Sequence, residues 1–93
     1  MNAVKQADKK NAEAALERLI TSNGMGGDPT LSNVLYFMSA SSRTDADRIA
    51  FKDSLLETGY ATDALDPSDA DIGNECRESL RRLFRAAGRE VEE

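Results

Sequence analysis

Apolar residues recur at helical spacing in four stretches of this chain, and the segments between them are rich in Gly, Pro, Asn, Asp and Ser. The first stretch, from about Ala3 to Ser22, is rich in Ala, Glu, Lys and Leu and places Ala12, Ala15, Leu16, Leu19 and Ile20 on one face. It should stop at Asn23-Gly24, and its first two turns, where Val4 is the one sizeable apolar residue, are expected to fray or project into solvent. Asp28-Pro29 reads as an N-cap followed by Pro at the first helical position, opening a second helix. Leu31, Val34, Leu35 and Met38 form the apolar stripe of that helix, which should fade in the run Ser39 to Ser42. A third helix is expected to begin at the capping-box-like Thr44-Asp45-Ala46-Asp47, run to Thr58 and stop at Gly59.

The third helix does not carry a single stripe. Ala46, Ile49, Ala50 and Leu56 share a face, while Phe51 and Leu55 lie nearly opposite. A helix of this kind either sits centrally between other helices or offers one face to another chain, with Tyr36 and Phe37 of the second helix as neighbours of the second contact. The region 60–65 reads as a turn or a single helical turn near Thr62. Asp66-Pro67 repeats the earlier signal, so a fourth helix is predicted from about Pro67 to Ala87, ending at Gly88. Its buried stripe would be Ile72, Cys76, Ser79, Leu80, Leu83 and Ala87, with Phe84 at the edge. The predicted fold class is therefore all-α: a small bundle of four helices, with or without a short fifth turn. It would form one domain over residues 1–93, with 1–8 and 89–93 as candidate mobile ends.

Composition supports one small core. A chain of 93 residues with 40% apolar and 31% charged side chains resembles ordinary soluble domains. No apolar run approaches the ~20 residues that span a bilayer, and no leader-like segment opens the chain, so a cytoplasmic location is expected. Cys76 is the sole cysteine, which precludes an intrachain disulfide and agrees with a reducing compartment. It reads as a small core residue rather than a reactive thiol.

Several chemistries are poorly supplied. Histidine is absent, which removes the commonest general base, zinc ligand and activator of a nucleophile. Gly24, Gly26 and Gly27 precede a helix, yet no strand and no Lys accompanies them as a phosphate loop requires. The acids Asp63, Asp66, Asp69 and Asp71 do not fit the calcium-loop pattern, because Gly73 and Glu75 are misplaced for it. Neither catalysis, a cofactor nor a bound metal is expected.

Charge changes the picture most. From Tyr60 to Glu75 the chain carries Asp63, Asp66, Asp69, Asp71 and Glu75 and no cation. From Cys76 to Arg89 it carries Arg77, Arg81, Arg82, Arg85 and Arg89 against Glu78 alone. In part this suits a helix dipole, with Glu78 to Arg82 as an i, i+4 pair. The row Arg77, Arg81, Arg85 exceeds that need. As a phosphate-binding row it would belong to a nucleic-acid-binding helical protein, but the net charge of −5 opposes such a partner.

The acids admit the converse reading, a carboxylate surface offered to a basic protein groove that otherwise takes nucleic acid. In size and composition, though through no motif, the chain is similar to small acidic helical proteins of viruses and mobile elements, including inhibitors of host defence complexes. The functional expectation is a non-enzymatic regulator or inhibitor, a DNA mimic in the strongest form, that binds another protein. Its contacts would be Asp63, Asp66, Asp69, Asp71, Glu75, Arg77, Arg81 and Arg85 for charge, and Tyr36, Phe37, Phe51 and Leu55 as apolar anchors. A homodimeric structural subunit, paired through the second face of the third helix, is the competing use of those anchors.

Overall fold

The computed structural model describes the backbone of residues 2–91 and side chains from residue 8 to 91; the side chains of Val4, Glu92 and Glu93 lie outside that range. It contains helices α1 (Asn2–Ser22), α2 (Leu31–Ser39), α3 (Asp45–Glu57) and α4 (Asn74–Ala86), and no strand among the described residues. No described helix is long and apolar enough to cross a membrane.

Local signals explain most boundaries. At the end of α1, Met25 N–H donates to the Ile20 carbonyl at 3.0 Å and Gly24 N–H to the Thr21 carbonyl at 3.1 Å, a Schellman closure with Gly24 at φ 78°. The same closure ends α4, where Arg89 N–H reaches the Phe84 carbonyl at 2.8 Å and Gly88 takes φ 75°. A side chain at either position would strain the left-handed backbone that lets the last carbonyls find donors. Helix α3 opens on the predicted box, with Asp47 N–H donating to Thr44 Oγ1 at 3.1 Å and the Asp47 carboxylate accepting from Thr44 N–H at 3.4 Å.

Two Asp-Pro signals resolve differently from the prediction. Helix α2 is capped by Thr30 rather than Asp28: Asn33 N–H donates to Thr30 Oγ1 at 3.1 Å, and Asn33 Oδ1 accepts from Thr30 N–H at 3.4 Å. Reciprocal capping leaves Pro29 just outside the helix. Asp66-Pro67 starts no helix at all. Asp69 N–H closes a turn onto the Asp66 carbonyl at 3.3 Å, with Pro67 at its second position, and Asp66 Oδ1 accepts from Ser68 N–H at 3.0 Å. Consequently α4 begins at Asn74, and 60–73 is an irregular strap. Of the two readings offered for 60–65, the structure has the turn, in which Leu65 N–H meets the Thr62 carbonyl at 3.2 Å, and no fifth helix forms among the described residues.

The core joins Leu16 and Leu19 of α1, the full predicted stripe of α2, Phe51 and Leu55 of α3, and Cys76, Leu80, Leu83 and Phe84 of α4. Met25 and Leu65 enter from the connections. Helix α3 packs against α1, α2 and α4, but through one arc only. Phe51, Lys52 and Leu55 are buried, whereas Ala46, Ala50 and Leu56 are exposed and Ile49 is half-buried. The two large side chains remove more apolar area than the alanine-rich face can, so they decide which side turns inward. Arg48 ties α3 to α2 by donating to the Met38 carbonyl at 3.2 Å and the Ala40 carbonyl at 2.8 Å, where α2 leaves acceptors unfilled.

Candidate protein-interaction face

The strap between α3 and α4 carries the acidic residues of interest. Asp63, Asp66, Asp69, Asp71 and Glu75 are all exposed. Two of them organise the backbone: Asp66 accepts from the Ser68 amide and hydroxyl, and Asp69 Oδ1 accepts from Asp71 N–H at 3.0 Å. Hydrogen bonds from the Ser68 side chain and backbone hold the Asp66 carboxyl below the usual Asp range. Most of these acids therefore do not sit in the first turn of α4, as a dipole account requires; only Glu75 does.

Tyr60, Ala61 and Ile72 of the strap pack partly buried against the core, and three closer attachments add to them. Thr62 N–H donates to Ser79 Oγ at 2.9 Å, and that hydroxyl donates in turn to the Glu75 carbonyl at 2.9 Å. Leu65 inserts into the core. Lys52 Nζ donates to the Asp69 carbonyl at 2.5 Å, with the lysine only 4% exposed. A cavity of about 70 Å³ beside Lys52 is bounded by Asp66, Asp69, Asp71 and Glu75. That is space for a water or two, far below the several hundred Å³ of an ordinary ligand site. Among the described residues no three metal-ligating side chains converge.

The arginines divide. Arg82 and Arg85 are exposed and form no ion pair among the described residues. Arg77 and Arg81 are half-buried and engaged within the chain; Arg81 Nη1 meets Glu78 Oε1 at 2.6 Å, so Glu78 serves Arg81 at i+3 rather than Arg82 at i+4. Arg89 pairs with Asp28, donates to the Pro29 carbonyl at 3.3 Å and lies over the Phe84 ring. With Val91 packed against the core, these contacts fasten residues 89–91, expected as part of a mobile end.

The apolar anchors divide as well. Phe51 and Leu55 have no exposed surface, so they are core residues and not anchors for a partner. Phe37 is half-buried beneath the Arg43 guanidinium, 3.8 Å above its ring. Tyr36 alone stands out, at 76% exposure. The structure thus gathers the five acids on the strap, with Glu75 at its junction with α4, and does not gather the anchors. Sequence reasoning missed Lys52, although one signal was present: it is the only cation between Arg48 and Arg77, and it lies between Phe51 and Leu55 in the helical repeat. Burial raises the Cys76 thiol to about 11, which suits an inert core thiol.

No family model, curated protein or solved structure matches the chain.

Proposed function

We propose that this chain is a non-catalytic protein-binding module, a small acidic regulator or inhibitor that presents the strap carboxylates to a basic surface of another protein. One observation carries this reading. Asp63, Asp66, Asp69, Asp71 and Glu75 are all exposed, while the one cation in the chain between Arg48 and Arg77 is buried beneath them. The outer face of the strap is thus negative, without an exposed neutralising partner of its own, and such a face speeds encounter with a positive one. A partner groove that normally holds nucleic acid is a surface of that sign, lined with cations. The phosphate-row alternative is less well supported, because Arg77, Arg81 and Arg89 are engaged within the fold and leave Arg82 and Arg85 as the exposed pair.

The test replaces the five acids together by Asp63→Asn, Asp66→Asn, Asp69→Asn, Asp71→Asn and Glu75→Gln. The amide oxygens can still accept the Ser68 and Asp71 hydrogen bonds, and the Asp69 carbonyl remains as the acceptor for Lys52, so the acceptors of the strap are kept while the charge is lost. A protein captured from native-cell extract by the unaltered chain should be lost with the variant and should elute from the unaltered chain as salt is raised. Equal capture by both chains would reject the reading, as would unchanged nucleic-acid binding by that protein when this one is saturating.

A further inference from the structure

A buried ammonium needs compensation, since its desolvation costs several kcal/mol unless charges or hydrogen-bond acceptors replace water. Lys52 is 4% exposed and has the Asp69 carbonyl, 17 residues further along the chain, as its hydrogen-bond acceptor. Asp66, Asp69, Asp71 and Glu75 line the same small cavity. The ammonium thus exchanges hydration for a carbonyl and the field of the strap. The strap, for its part, has little else to hold its second half. Ser79 fixes Thr62 and the core takes Leu65, but from Asp66 to Gly73 the other side-chain bonds are local, Asp66 to Ser68 and Asp69 to Asp71. Ile72 packs half-buried against the core next to the start of α4, which leaves residues 66–71 with the Lys52 bond as their contact to the rest of the fold outside the strap.

We infer that Lys52 is the positioning residue of the acidic face. From inside the fold it holds residues 66–73 in one conformation, and without its charge that half of the strap opens while the four helices stay packed. Carboxylates crowded on a short irregular segment repel one another, so a buried cation beneath them offsets that repulsion and, through the Asp69 carbonyl, orders the segment that carries them. The functional meaning of this hold rests on the protein-binding reading above, but the hold itself is a property of the free chain.

Amide hydrogen exchange followed by NMR on the free chain tests it. Lys52→Met keeps the length and apolar stem and removes the ammonium. Exchange at the hydrogen-bonded Asp69 and Asp71 amides should quicken at least tenfold, while Leu80 and Leu83 in α4 keep their protection. Unchanged strap exchange would overturn the proposal, and so would equal acceleration of strap and core, which marks a general loss of stability. A second measurement needs no variant and covers a Lys52→Met chain that does not fold. In the unaltered protein the Lys52 ammonium protons should be shielded from solvent exchange and show dipolar contacts to residues 69–71. An ammonium resonance with solvent-exposed exchange and no such contacts would likewise overturn it. Partner capture plays no part in either measurement, so the hold and the protein-binding reading can fail separately.

Discussion

Cys76 illustrates how burial sets the chemistry of a single side chain. Its thiol is enclosed by the core, and burial outweighs the opposing attraction of Lys52 and Arg77, raising its pKa from 9.0 to about 11. The folded state therefore keeps the proton to higher pH than the unfolded chain does. Stability linked to the neutral thiol is complete below pH 9 and is lost as pH rises through about 11. Against Cys76→Ala, the unaltered protein should lose on the order of 2 kcal/mol of stability between pH 8 and 11. Denaturant unfolding at several pH values checks this, and a constant difference between the two proteins would contradict it. At the same scale, Lys52 and Arg48 show charged residues serving the fold from within: one holds the strap, and the other fills the carbonyls that end α2.

Helix starts depend on a few residues each. Thr44 and Asp47 cap α3 reciprocally, and removing the hydroxyl leaves the Asp47 amide without its acceptor. Thr44→Ala should cost about 1 kcal/mol in urea unfolding, with an unchanged dependence on denaturant. A loss of less than a few tenths would mean that tertiary packing, not the cap, fixes this end. Capping and glycine signals made the ends of α1 and α3 readable from sequence because the partners lie within five residues. The Asp-Pro signal was not decisive, since the same two residues begin a helix or a β-turn depending on their C-terminal neighbours. After Asp66-Pro67 come Ser68, Asp69 and Asp71, whose backbone amides and side chains bond to one another locally and compete with a helix. A strap resulted where a helix was expected.

Across the whole molecule, the division between core and surface separates residues that look alike in sequence. Phe51 and Tyr36 both lie off a simple apolar stripe, yet Phe51 is wholly buried and Tyr36 is 76% exposed. Phe51→Ala should destabilise the protein by about 3 to 5 kcal/mol, whereas Tyr36→Ala should stay within ~0.5 kcal/mol. Thermal and urea unfolding of the two variants would reveal comparable costs if the placement were otherwise. The order of residues alone specifies the all-α class, the four helices and several of their ends, because these arise from periodicity and from bonds between near neighbours. The sorting of acids and arginines along the chain is legible in the same way. Three-dimensional packing settles which face of α3 turns inward, that Arg89 clasps Asp28, and that the acids ride on a strap above a buried Lys52. Those outcomes depend on how much area each competing packing removes from water and on contacts across tens of residues, neither of which any local pattern encodes.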